Sequence, residues 1–401
     1  MAGIAVKRNS ILNSPRILFL VNVDWFFLSH RLAIARAARD RGAEVWVAAA
    51  STGQEGQIIQ EGFRFVSIPF RRSGKNIFHE IRTIREIARI LLAVRPDLVH
   101  NVTIKPVLYA SWISRFLGKP AVVNAISGLG YVFIASGVKA RLLHGVVRRA
   151  YKAALFGGMV RIIFQNPDDI NSFVAEGMVE KDHTVLIRGS GVDVELYRPF
   201  PEQPGIPIVM FASRMLKDKG AVELVDAARH LRDWNVPFRM VFVGDPDPDN
   251  PATVTESTIC SWVKEGIIEW WGHKSQMELV LPLAAVVVLP SYREGLPKVL
   301  LEAASAGRPI VATDVPGCRE VVRDGWNGYL VPPRDHIRLA EVIRHLLETP
   351  ELRARMGANG REMAVREFRI EKVVADTLSV YDELLGPKFP GVFAPGPQPL
   401  V

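Results

Sequence analysis

Short apolar runs, each followed by a helical repeat, recur along this 401-residue chain, and a Pro-rich interruption at 199–207 splits the recurrence into two halves. In the first half, strand-like runs at 17–23, 44–49, 98–102, 121–125, 162–165 and 184–187 alternate with helical patterns at 28–41, 77–94 and 109–116. The pattern restarts at 208–212 and continues through 238–244, 267–271, 285–289 and 309–312. Repeated strand–helix units build parallel sheets covered on both faces, and a chain of this length exceeds one core at ~100–200 residues per domain. The sequence therefore predicts α/β architecture with two doubly wound domains, 1–199 and 200–369, a closing helix at 370–385, and a Pro- and Gly-rich tail, 386–401, expected to be disordered. Ligands of such sheets lie beyond the carboxyl ends of the strands, so two facing domains enclose a cleft.

Cys260 and Cys318 are too few and too far apart for a disulfide framework or structural zinc, which points to a reducing compartment. No run approaches the ~18 apolar residues of a membrane-spanning helix. Residues 16–23 resemble a signal-peptide core, but Asn22 and Asp24 interrupt it, so a first strand is expected and the protein is read as cytoplasmic. Charge divides unevenly: 27 Lys and Arg against 15 Asp and Glu in residues 1–199 (+12), and 23 against 27 in residues 200–401 (−4). Basic clusters stand at Arg71, Arg72 and Lys75, and at Lys139, Arg141, Arg148, Arg149 and Lys152 within an amphipathic segment. Such a helix can lie on the anionic inner face of the cell membrane; a solvated helix face is the alternative. Nucleic acid is not expected, because no aromatic residues interleave the basic ones.

The most informative stretch runs from the apolar strand 284–289 through Pro290-Ser291-Tyr292-Arg293-Glu294-Gly295-Leu296-Pro297 into a helix at 298–305. A helix beginning at the carboxyl end of a parallel strand directs unpaired N–H groups and its dipole's positive end into the crevice, which favours phosphate. Glu294 and Glu302 sit eight residues apart beside that site. Carboxylates repel a diphosphate, so their natural partners are sugar or ribose hydroxyls. The pattern suggests a nucleotide-sugar site.

Ser213-Arg214-Met215-Leu216-Lys217-Asp218-Lys219-Gly220, the 289–297 segment, Glu302-Ala303 and Thr313-Asp314-Val315-Pro316-Gly317 resemble the retaining glycosyltransferases of family four. Residues 22–31, Thr103-Ile104-Lys105-Pro106 and Ser127-Gly128-Leu129-Gly130-Tyr131 resemble the bacterial branch that acts on polyprenyl-diphosphate-linked glycans. The resemblance implies the GT-B fold of two Rossmann-like domains and gives Arg214 and Lys219 the diphosphate. It puts Glu294 against the donor sugar and Glu302 against the ribose, with the amides near Gly295 and Leu296 facing the phosphates. Arg214, Lys219 and Glu294 are thus the expected catalytic residues, Glu294 acting by position and charge rather than by proton transfer. Loss of one cation should raise the barrier by roughly 2.7–4 kcal/mol, by analogy with an oxyanion-hole donor.

Asp245-Pro246-Asp247-Pro248-Asp249 invites a metal reading, but the fold the resemblance implies generally works without metal, so no metal or other cofactor is expected. On the acceptor side, the His that many family members carry is missing from 123–130, and Asn22-Val23-Asp24-Trp25-Phe26-Phe27 replaces a Gly-Gly loop. His30, Lys105 and Ser127 are the acceptor-side candidates. Trp25, Phe26 and Phe27 either floor a pocket or pack as core. Neither a dinucleotide fingerprint, a nucleophile elbow nor a phosphate-binding loop ending Gly-Lys-Ser/Thr is present. The expected activity is transfer of a hexose or N-acetylhexosamine from a nucleotide-diphosphate sugar, expected to be UDP-linked, to a lipid-linked glycan in cell-surface polysaccharide assembly. A nucleotide-sugar epimerase of related fold and a catalytically silent binding protein are the alternatives.

Overall fold

The computed structural model describes residues 14–70, 77–117, 120–128, 138–157, 159–248 and 250–394. Arg71, Arg72, Lys75, the Leu129-Gly130-Tyr131 segment, Asp249 and residues 395–401 lie outside the described residues, as do the side chains of Lys139 and Arg141. The first sheet has seven parallel strands: β1 Arg16–Val23, β2 Glu44–Ala50, β3 Arg64–Ser67, β4 Leu98–Val102, β5 Ala121–Ile126, β6 Val160–Phe164 and β7 Thr184–Leu186. The second has six: β8 Ile208–Ala212, β9 Arg239–Val243, β10 Glu269–Gly272, β11 Val286–Leu289, β12 Ile310–Thr313 and β13 Gly328–Val331. Their orders, β3-β2-β1-β4-β5-β6-β7 and β10-β9-β8-β11-β12-β13, are the doubly wound arrangement. Ile17–Val21 and Val286–Leu289 are buried along their whole length, as strands covered on both faces require. Each sheet reverses direction beside its first strand, between β1 and β4 and between β8 and β11, and these switch points are where ligands bind.

Three local expectations need correction. The helical pattern over 28–41 is two helices, Asp24–His30 and Leu32–Asp40, broken at Arg31, whose side chain turns into the interior. Two of the four edge strands, β3 and β13, are additional to the sequence reading. Residues 386–394 of the tail pack against the first lobe: Phe389 and Phe393 are buried in the first core, the Phe393 ring lies edge-on to Tyr381 at 5.7 Å, and Lys388 pairs with Asp97. Two aromatic anchors bury enough apolar surface to hold a short segment that its Pro and Gly content alone would leave loose. The helix Ile370–Leu385 likewise packs on the first sheet, with Val373, Leu378, Tyr381 and Leu384 joining Phe19 and Ile34 in one core. Among the described residues no helix is long and apolar enough to cross a membrane.

Candidate active site

The loops after β8 and β11 meet at the switch point of the second sheet, and a glycine makes the meeting possible. Gly220 has φ 76°, and a Cβ there would lie 2.1 Å from the Pro290 carbonyl oxygen. With no side chain in the way, the turn Lys217–Lys219 lies against the 290–294 loop, where Tyr292 N donates to Asp218 O at 2.9 Å. Lys219 Nζ forms an ion pair with Glu294 Oε1, to which Ser291 Oγ also donates at 2.5 Å. Their side chains are only 20% and 10% exposed, so this pair is far less screened than one on the surface. Lys219 therefore reaches Glu294 rather than Asp218.

Arg214, nearly half exposed, is held by Asp247 at 2.6 Å, and Asp245 accepts from His273 N at 3.0 Å. The acidic loop thus engages protein groups, and no group of three or more metal-ligating side chains occurs among the described residues. Glu302, 6% exposed, pairs with Lys298 at 3.0 Å and accepts from the Tyr197 hydroxyl, whose acidity is suppressed by burial and then by the Glu302 charge. The helix Lys298–Ser305 starts after Pro297 without a side-chain cap. The amides of Gly295, Leu296, Lys298 and Val299 make no hydrogen bond among the described residues. Leu296 itself is core: its side chain packs where a Cβ on Gly189 would stand 2.8 Å away, so only its backbone is available to a ligand.

At Gly295 the loop after β11 meets the loops after β5 and β6 of the first lobe. A Cβ on it would meet the Ser127 carbonyl oxygen at 2.4 Å and Gln165 Oε1 at 2.9 Å. Asn166 Nδ2 donates to the Gly295 carbonyl at 2.7 Å while Asn166 Oδ1 caps the helix Pro167–Ala175. Three residues after Asn166, Asp169 pairs with Arg293 at 2.8 Å. Burial raises the Asp169 pKa, and the Arg293 guanidinium offsets part of the rise. Ser127 is therefore brought to the donor loop.

His30 is also near: its ring stacks on Phe26 at 4.0 Å, bonds to Ser29 Oγ at 2.6 Å, and is pushed down to about 3 by burial and then by the charges of Arg31 and Lys298. It is a neutral imidazole beside the start of the Lys298–Ser305 helix. Lys105 stands apart, paired with Glu80 at 2.7 Å in a cluster that includes Tyr109. Phe27 is core, and Trp25 and Phe26 are half-buried. Asp24 is fully buried and accepts from Thr52 N, Gln54 N and Trp25 N at 2.7, 3.0 and 2.8 Å, which pins the loop after β1. Sequence reasoning missed Asn166, Asp169, Ser291, Arg293 and Tyr197. Asn166-Pro167 carries a readable helix-start signal, but its partner lies 129 residues away.

Two family models match the chain, "Glycosyl transferase 4-like" over residues 16–166 and "Glycosyl transferases group 1" over residues 195–363. This chain belongs to the family-four glycosyltransferases. The glycosyltransferase is 26% identical to the N,N'-diacetylbacillosaminyl-diphospho-undecaprenol alpha-1,3-N-acetylgalactosaminyltransferase of Campylobacter jejuni, over 92% of this chain and 99% of that protein. It is 29% identical to the putative glycosyltransferase EpsD of Bacillus subtilis, over 92% and 98%. Its fold matches Anabaena HepE in complex with UDP (TM-score 0.72, 19% identity, 92% of this chain and 100% of that one). It also matches sucrose-phosphate synthase from Thermosynechococcus elongatus (TM-score 0.76, 20% identity, 93% and 100%). The GT-B fold is therefore that of this glycosyltransferase, and the epimerase alternative finds no support in these relatives.

Proposed function

We propose that this glycosyltransferase moves a hexose or N-acetylhexosamine from a UDP-sugar to a lipid-linked glycan at the cytoplasmic face of the membrane, with retention of anomeric configuration and without a metal. The observation that carries the donor side is the half-buried Lys219–Glu294 pair beside the uncapped start of the Lys298–Ser305 helix. Arg214, Lys219 and Lys298 are each held by a carboxylate, so three cations stand ready while their mutual repulsion is neutralised. A diphosphate arriving among them gains the free amides at once, and the cations can shift toward phosphate without leaving their carboxylates. Glu294, still paired with Lys219 through one oxygen, offers the other to a sugar hydroxyl, and Glu302 with Tyr197 meets the ribose.

In the reaction the bond from the anomeric carbon to phosphate oxygen breaks and the acceptor hydroxyl oxygen bonds to that carbon from the same face. The hydroxyl proton passes to the departing phosphate. Arg214 and Lys219 stabilise the charge growing on that phosphate. The acceptor reading is supported by the Campylobacter relative's lipid-diphosphate substrate and by the neutral His30 and the Ser127 carbonyl beside the donor loop.

The membrane reading has a surface to match. Trp112, Phe116 and Phe156 are at least half exposed, Arg115 lies over the Phe156 ring at 5.7 Å, and Arg148, Arg149 and Lys152 are exposed on the adjoining helix Val138–Leu155. Aromatic rings beside basic side chains suit the headgroup region of an anionic bilayer. Incubation of radiolabelled UDP-sugars with enzyme and membrane lipids tests the proposal: label should move to the organic phase. Label that stays wholly in water-soluble nucleotide sugar across the donor panel would overturn it.

A further inference from the structure

Arg31 sits where the helix Asp24–His30 gives way to Leu32–Asp40, and its side chain enters the core below the acceptor-side loop. It is 4% exposed, donates from Nη1 to the His30 carbonyl at 2.8 Å, and has no hydrogen-bond partner at Nε. Among the described residues it has no carboxylate partner, and burial pushes its pKa down to about 10. A buried cation without a counter-charge is costly, because the interior returns little of the hydration it loses. The one carbonyl at the end of a short helix compensates only a part.

A small cavity opens on this guanidinium, lined also by His100, Gln165, Gly189 and Thr377, and so by the middle of β4, the residue after β6, the segment after β7 and the helix Ile370–Leu385. Its volume of about 10 Å³ leaves room for a single water molecule or monatomic ion. His100 is 1% exposed, with Nδ1 at 2.6 Å from the Tyr381 hydroxyl and Nε2 unpartnered. Burial holds the Tyr381 phenol protonated, and His100 Nδ1 is the hydroxyl's partner. With Nδ1 as the acceptor for the phenol's proton, we assign the imidazole proton to Nε2. The cavity is thus lined by two side chains with unused N–H donors, one of them charged, and by no acid.

We propose that this cavity is a binding site for a single small monovalent anion of halide size, held by the Arg31 guanidinium and His100 Nε2–H. Water is the competing occupant, but water leaves the positive charge uncompensated, whereas a halide cancels it and accepts from both donors. Phosphate and sulfate exceed the space. The ion would join the first sheet, the interlobe segment and the last helix at one point. Gln165 extends the same wall to the donor loop, with Oε1 2.9 Å from where a Gly295 Cβ would stand. The site is independent of the donor-site assignment, because none of its residues belongs to it.

The test uses the intact protein. Crystals soaked in sodium bromide are measured at the bromine edge, and melting midpoints are compared in sodium chloride and sodium gluconate at equal ionic strength. The expected results are an anomalous peak between Arg31 and His100, and a midpoint about 2–4 °C higher in chloride. Ordered density without anomalous signal at that position means water, and overturns the proposal. In Arg31→Met the chloride-specific shift should vanish, and an undiminished shift in that variant would equally overturn it.

Discussion

Lys219→Met is the substitution that best separates chemistry from architecture at the donor site. Methionine keeps the length and apolar stem of lysine but removes the ammonium, which leaves Glu294, 10% exposed, with Ser291 as its remaining donor. Two losses follow. Breaking a buried pair on one side costs up to about 3 kcal/mol of stability, because the partner charge stays desolvated. The cation facing the leaving phosphate is also gone, which raises the barrier by about 2.7–4 kcal/mol and lowers kcat roughly 100- to 1000-fold. Adding Glu294→Gln removes the orphaned charge, so the double variant should recover most of the stability and none of the rate. Urea-melt midpoints give the first quantity and initial rates of sugar transfer give the second. A Lys219→Met enzyme within threefold of the parent kcat, or a double variant whose rate returns with its stability, would refute the electrostatic role.

Three further outcomes are expected. With His30 depressed to about 3 in the folded state against 6.5 unfolded, the unfolded chain binds the extra proton between those values, so stability is complete above pH 6.5 and lost as pH falls. The loss from this group between pH 7.5 and 5 is about 2 kcal/mol, and urea melts of His30→Phe should show that slope removed. Gly295→Ala puts a methyl 2.4 Å from the Ser127 carbonyl and forces the lobes apart there, so transfer should fall ~10-fold or more with far-UV dichroism unchanged. Replacing Trp112, Phe116 and Phe156 by Ser should weaken flotation with anionic vesicles at least about tenfold while calorimetric UDP binding stays as it was.

Most sheet strands were legible because they are apolar runs bounded by turn residues, as at Ile208–Ala212, where expected and observed limits coincide. Two edge strands were not. β3, Arg64-Phe65-Val66-Ser67, and β13, starting at Gly328, are four residues each with mixed exposure, too short for periodicity to rise above the surrounding loops. On the donor side, strand, turn and helix are contiguous, so the places of Glu294 and Glu302 followed from local pattern. The Asn166–Gly295 and Asp169–Arg293 contacts are 129 and 124 residues apart in sequence, and only the closing of the two sheets creates them. Likewise, the Pro and Gly of the tail spoke for disorder locally, while the cavity-filling Phe389 and Phe393 act through a surface made by distant strands.

The return of the chain's end to its beginning makes the first lobe discontinuous. Phe19, Val21 and Ile34 share their core with Tyr381, Leu384 and Phe393, so residues 1–199 alone would expose a face that the intact molecule never shows to water. Anyone exchanging acceptor specificity between relatives by grafting has to transplant two pieces, the amino-terminal half and the segment 370–394 together. A single cut at the interlobe linker would yield a hybrid whose two ends come from different parents and were never shaped to fit.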